Sequence, residues 1–307
     1  MFPETMKKDF KQLPSQATPM PYAVTSLADL PGSLQQAAVR SVSSTDPLRS
    51  ICVFPSRTYL KNWYSWEYVS EQALLFTGNG ILHIQAPSST FRDARIVSLR
   101  AADLLYTHLS LILMYGRLEL VDENLSRGVV EFNAAGFDII QSGLQHLLAT
   151  VSGKNAIPTP EAPPAKTILN ELESRSFKFK NGLSLYGLLP GERLLGFVFQ
   201  PGIRGLRWRF FSLKVSETTV MALTDKQLII IEEQSRSRFP AYGWIFTFYP
   251  RKAIEKIGVS SCRQWQELSV VMKVKTGLID RRILLEQANV LAWQELWLRF
   301  GDLRAVT

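Results

Sequence analysis

The chain has 307 residues, of which 46% are hydrophobic and 20% charged, a composition that excludes a disordered polymer and leaves room for about two domains. Its 35 basic and 27 acidic side chains give a net charge of +8. No apolar run approaches the roughly 20 residues of a membrane-spanning helix, and two cysteines are too few for a disulfide framework.

The opening MFPETMKKDF has acids among its lysines and no apolar stretch behind them, so the sequence reads as cytoplasmic, without a secretory leader. Residues 1–45 carry prolines at 3, 14, 19, 21 and 31 and no long apolar period, which predicts a flexible tail with a short helix over Ser33–Val42. A first domain is expected over residues 46–150. It holds an apolar strand at Ile51–Pro55, a strand TYLKNWYSWEYV, and a hairpin ALLFTGNGILHIQ turning at Gly78-Asn79. Phe137, Ile140, Leu144, Leu147 and Leu148 form one stripe of a helix near 136–149. Residues 151–166, with Pro158, Pro160, Pro163 and Pro164, read as a semi-rigid linker. The second domain, residues 167–307, is expected to run through strands Leu194–Gln200, Leu206–Val215, Thr219–Thr224, Gln227–Glu233, Trp244–Tyr249, Leu268–Val274 and Arg282–Leu285. A helix near 287–300 follows, with Val290, Trp293, Leu296, Trp297 and Phe300 on one face and Gly301 as its stop.

The two halves read as one unit written twice. Ile51–Pro55 matches Phe197–Pro201, Ala73–Gln85 matches Met221–Glu233, Tyr115–Val121 matches Trp265–Val271, and Ala135–Leu147 matches Ala288–Phe300. Four blocks in the same order, at nearly the same spacing, indicate a duplication.

A bent antiparallel sheet of about seven strands closed by one C-terminal helix resembles the pleckstrin-homology-like fold, in the group that includes bacterial PH-like and GRAM domains. The segments that carry the likeness are VMALTDKQLIII (220–231), FYPRKAIEKIGV (248–259) and the closing helix; the first half departs from it, with Leu99-Arg100 in place of Tyr249-Pro250. The resemblance implies a mainly β protein with α-helix, built as two domains, each a bent sheet or partly open barrel. It implies binding modules and brings no catalytic residues.

Catalytic signals are weak. His83, His108 and His146 are dispersed, Cys52 and Cys262 stand singly in apolar stretches, and neither a phosphate loop nor a metal-ligand spacing is present in the sequence. No enzyme, cofactor or metal is expected.

Charge is more informative. Residues 46–150 have a net charge of −2 and residues 167–307 of +8. The second half concentrates its cations in PGIRGLRWRFFSLK: Arg204, Arg207, Arg209 and Lys214, with Arg236 and Arg238 further on. If Leu206–Val215 is one strand, Arg207 and Arg209 share a face, either as solvated surface or as an anion cradle. The PH-like resemblance places a lipid site at the first hairpin, where Arg207-Trp208-Arg209 is similar in type; the expected lysine of the preceding strand is absent, with Phe199 and Gln200 standing near it. In the first half, Tyr59 and Lys61 are aligned with Arg207 and Arg209, and Tyr64, Trp66 and Tyr68 line one strand face. They suit either an inter-domain seam or a protein interface.

The expectation is therefore a non-catalytic adaptor whose second domain docks to an acidic membrane surface or acidic protein, peripheral on the inner face of a membrane. The alternative is a scaffold that assembles through sheet edges and aromatic faces. Nucleic acid is disfavoured, because aromatic and basic residues interleave in one strand only.

Overall fold

The computed structural model describes residues 19–300 apart from 44, 63–64, 89–91, 153–162, 209–210, 234–242 and 263–264. The protein is mainly β, and its sheets are open, with none closing into a barrel among the described residues. The chain divides into two compact units, Met1–Leu104 with His108–Val151, and Leu105–Thr107 with Ser152–Thr307.

In the first unit the order is β1 (Tyr22–Val24), α1 (Gly32–Ser41), β2 (Leu48–Phe54), β3 (Arg57–Asn62), β4 (Ser65–Val69), β5 (Gln72–Thr77), β6 (Gly80–Gln85), β7 (Arg95–Arg100), β8 (Leu104–Ile112), β9 (Tyr115–Asp122), β10 (Arg127–Asn133) and α2 (Phe137–Ser152). One antiparallel sheet runs β1-β2-β5-β6-β7, β3 and β4 form a separate hairpin, and β8, β9 and β10 lie side by side. Helix α1 falls where the sequence places it. The preceding residues do more than trail: Tyr22, Ala23 and Val24 pair with Val53, Cys52 and Ile51 and so extend the sheet.

The sheet is apolar on both faces. Ile51, Val53, Ala73, Leu75, Leu82 and Ile84 pack beneath Leu30, Leu34, Ala37 and Ala38. Burying Leu34 alone is worth about 2 kcal/mol. Side chains alternate along a strand, so Cys52 and Phe76 face the other way, toward α2. There the Cys52 thiol donates to the Ile139 carbonyl at 3.3 Å, and the Phe76 ring lies so close to Gly143 that an added Cβ would meet it at 2.4 Å.

The second unit opens with helices that the sequence reading did not anticipate: α3 (Ala165–Arg175), α4 (Phe177–Gly182) and a π turn over Leu183–Gly187. Then follow β11 (Leu194–Gln200), β12 (Arg204–Trp208), β13 (Phe211–Lys214), β14 (Thr219–Thr224), β15 (Gln227–Glu233), β16 (Gly243–Pro250), β17 (Ile254–Cys262), β18 (Trp265–Val274), β19 (Gly277–Leu285) and α5 (Gln287–Phe300). Strands β11, β14, β15 and β16 pair in that order, β12 with β13, and β17-β18-β19 form a meander. One face of the four-stranded sheet joins Leu195, Val198, Met221, Leu223, Leu228, Ile230 and Tyr249 to the α5 stripe of Val290, Trp293, Trp297 and Phe300. The other face presents aromatic rings to the opening helices. Phe179 meets Phe199 edge-on at 5.9 Å, and Tyr186 lies 5.8 Å from Trp244 and 6.2 Å from Phe246.

Taken separately, the two units repeat one plan. A four-stranded meander carries a hairpin between its first and second strands, a three-stranded set follows, and a helix ends the unit. In both, a helix ahead of the first long strand covers the sheet face that the last helix leaves open.

Candidate functional site

The cationic stretch forms a hairpin rather than one strand. Arg204, Gly205, Leu206 and Trp208 pair with Lys214, Leu213, Ser212 and Phe211, so the chain reverses between Trp208 and Phe211. This corrects the single strand Leu206–Val215 and removes the argument that alternation sets Arg207 and Arg209 on one face. Arg207 occupies a bulge between the Leu206 and Trp208 pairs. Arg209, Arg236 and Arg238 lie outside the described residues.

The base of the hairpin is fixed by the buried Ile203, whose N–H donates to Ser216 O at 3.1 Å and whose carbonyl accepts from Val215 N at 2.8 Å. One step above it, Arg204 stands directly across from Lys214. Residues opposite each other in an antiparallel ladder hold their Cβ atoms about 5 Å apart, where like charges repel. Between Pro201 and Ser216 there are four cations and no acid to relieve this. Arg204 is exposed and makes no salt bridge among the described residues.

Several other cations of this unit are engaged. Arg281 pairs with Glu232 at 2.6 Å, Lys178 with Glu233 at 2.8 Å, Arg175 with Glu171 at 3.1 Å, and Arg282 with Asp280 at 2.6 Å. Arg251 donates to the Phe300 carbonyl at 2.6 Å and lies 6.0 Å from the centre of the Trp297 ring. Arg204, by contrast, is exposed and has no salt bridge among the described residues, in a stretch of sequence that holds four cations and no acid.

The first unit builds the same hairpin without that charge. Asn62 pairs with Ser65 as Trp208 pairs with Phe211, and both ladders shift register one residue earlier. Superposing turn and bulge sets Lys61 against Arg207 and Trp63 against Arg209, two residues from the alignment drawn on sequence alone. Residues 55–70 hold two cations and one acid, against four and none. The chain reverses between Asn62 and Ser65, so TYLKNWYSWEYV is likewise two strands, and Tyr64 falls in the reversal, outside the described residues. Trp66 pairs with Leu60, Tyr68 pairs with Thr58, and Tyr68 is 54% exposed.

Titratable groups elsewhere serve the fold. His83 is buried, its Nε2 3.0 Å from Gln72 Oε1, and burial, reinforced by Arg95, lowers its pKa to about 4. Burial pushes the Cys52 thiol up to about 12, far from a reactive thiolate. Sequence reasoning passed over Glu192. Its carboxylate accepts from Thr224 Oγ1, from Leu189 N at 2.7 Å and from Gln227 Nε2 at 3.1 Å, fastening the loop before β11 to the β14–β15 turn. Burial raises its pKa to about 7 against the opposing pull of those hydrogen bonds, with a smaller contribution from Asp225. No motif marks it. The first unit's counterpart is Asp46, which accepts from Asn79 N at 3.1 Å.

Among the described residues no group of three or more His, Cys, Asp or Glu side chains is placed to hold a metal ion. No described helix is long and apolar enough to cross a membrane. No family model matches the chain, and no curated protein matches it significantly.

Proposed function

We propose that the chain is a tandem PH-like binding protein whose second unit docks to anionic lipid headgroups at a cytoplasmic membrane face through the β12–β13 hairpin. One observation carries this reading: Arg204 and Lys214 face each other across a ladder segment that holds four cations and no acid. An anion held by paired cations relieves their mutual repulsion. Arg207 and Arg209 complete the set in the sequence. The shared plan of the two units supports the PH-like likeness, in which the first hairpin is the ligand-binding element. Each cation near an anionic leaflet contributes about 1 kcal/mol, so removing two lowers affinity roughly thirtyfold.

Co-sedimentation with phosphatidylcholine vesicles, with and without phosphatidylserine, tests the reading. Wild type should require the anionic lipid and should release as salt shortens the roughly 8 Å screening length of physiological buffer. The pairs Arg204→Ala/Lys214→Ala and Arg207→Ala/Arg209→Ala should each bind about thirtyfold more weakly. Equal binding to both vesicle types, or unchanged binding by both pairs, refutes it. The protein-scaffold reading then takes its place, favoured by the exposed Tyr68 on the sister hairpin of the first unit.

A further inference from the structure

The first unit carries a feature that neither packing nor the duplication explains. Strands β8 and β9 are joined by two residues, Leu113 and Met114. Leu113 has φ +52°, a left-handed conformation that residues other than Gly and Asn rarely adopt. It is nevertheless 63% exposed, and Met114 is 58% exposed. Leu125 also has positive φ, 62°, but there Asp122 Oδ1 accepts from Asn124 N at 2.9 Å and Ser126 N at 2.8 Å and holds the turn. No side-chain bond of that kind holds Leu113 among the described residues.

The second unit offers an internal comparison. Its β17–β18 hairpin has the same two-residue connection between Cys262 and Trp265, and the residues there are Arg263 and Gln264. The second unit is polar in sequence at this place; the first has two large apolar residues instead. A third joins them. Ala134 N donates to Met114 O at 3.0 Å, and Met20 Cε lies 3.3 Å from where a Cβ on Gly136 would stand. Both methionines thus flank the turn 134–136, and Met20 is 48% exposed.

We infer that Leu113, Met114 and Met20 form an apolar tip that inserts into the interfacial layer of a lipid bilayer. The inference rests on the membrane-docking reading and adds a second, charge-independent contact to it. Area and charge favour lipid over a protein partner. A protein interface needs about 800 Å² of complementary surface on each side, beyond what three side chains on a convex hairpin tip supply, whereas lipid needs no matching shape. In sequence, residues 19–24, 108–116 and 133–137, the neighbours of these three side chains, contain no acidic residue to repel an anionic leaflet, in a half whose net charge is −2.

The experiment pairs Leu113→Asn/Met114→Gln with Arg204→Ala/Lys214→Ala in the full chain, on neutral and phosphatidylserine-containing vesicles at low and high salt. Asn tolerates positive φ, so the tip variant should keep or raise the thermal midpoint. It should lose the salt-resistant part of vesicle binding, roughly tenfold or more, while the hairpin variant loses the salt-sensitive part. Independently, a polarity-sensitive fluorophore on Met114→Cys should shift to the blue on phosphatidylserine-containing vesicles. No shift, with tip-variant binding unchanged, overturns the inference while leaving headgroup docking intact. A shift on neutral vesicles with the hairpin variant behaving as wild type sustains the tip and overturns headgroup docking. If wild type self-associates in sedimentation without lipid and the tip variant does not, the tip meets a second copy of the chain and the lipid assignment falls.

Discussion

Glu192→Gln should change how stability depends on pH, in a direction set by the burial of the carboxyl. The folded pKa is raised from 4.5 to about 7, so the folded state keeps a proton that the unfolded chain gives up. Below pH 4.5 both states hold it and the buried carboxylic acid costs nothing. As pH climbs toward 7, the unfolded state ionises and the fold loses stability by linkage. Each tenfold difference in proton affinity between the two states is worth about 1.4 kcal/mol, so about 3 kcal/mol is lost across that window and stays lost above it. The acid form needs an acceptor for its proton. Gln227 can supply one by turning its amide, since its buried Oε1 has no partner among the described residues. The same turn satisfies the amide that the substitution introduces, so the variant keeps the latch while losing the titration. Urea unfolding of the full chain at steps between pH 4 and 8, followed by tryptophan fluorescence, should give curves for variant and wild type that lie close together at pH 4 and diverge by about 3 kcal/mol at pH 7.5, the variant being the more stable. Parallel curves over the whole range would mean that Glu192 is ionised in the folded protein and that the hydrogen bonds from Thr224, Leu189 and Gln227 outweigh burial.

His83 should act in the opposite sense: with its pKa lowered to about 4, stability is complete above pH 6.5 and is lost as pH falls toward 4. His83→Asn should flatten that acid limb, and a limb unchanged in the variant would assign acid unfolding to other groups. Gly143→Ala tests the packing of α2: helix propensity alone favours Ala by up to about 1 kcal/mol, but the Cβ would meet the Phe76 ring, so a net loss of about 1–3 kcal/mol is expected in thermal or urea unfolding. A gain in stability would show that the helix can slide away from the sheet.

The strands and closing helices were legible because their residues obey one strong period each. The stripe Val290, Trp293, Trp297 and Phe300 predicts the face that α5 buries, and Gln227–Glu233 coincides with β15. The opening helices were missed although a signal for them exists. ALLF in β5 and LIII in β15 are unbroken apolar runs, where a sheet with one wet face would alternate. Such runs require cover on both sides, and one C-terminal helix covers only one. The second cover had to come from Leu30–Ala38 in the first unit and Ile168–Tyr186 in the second. The hairpins were missed for a different reason. TYLKNWYSWEYV and LRWRFFSLKV contain neither glycine nor proline inside the run, so nothing local announces a two-residue reversal, and long-range pairing sets its position.

That difference bears on the candidate site. A cation pair i, i+2 on one strand is a local motif that any exposed strand can acquire by chance. A pair ten residues apart, brought into register by a hairpin, depends on turn length and on the bulge together. The sister hairpin keeps both features, as its Leu60 and Asn62 pairs show, but it has Thr58 where the second unit has Arg204 and Tyr68 where it has Lys214. The backbone device is thus common to both units and needs no cations to form. Three of the four cations, Arg204, Arg209 and Lys214, have no cation at the matching place in the first unit, where Thr58, Trp63 and Tyr68 stand. The same logic applies in reverse at the β8–β9 turn, where the first copy carries Leu113 and Met114 and the second carries Arg263 and Gln264. At these two places the units differ in sequence, one toward charge and one toward apolar residues. In neither case does the departure improve the fold that carries it, which is the physical reason to look for its use outside the chain.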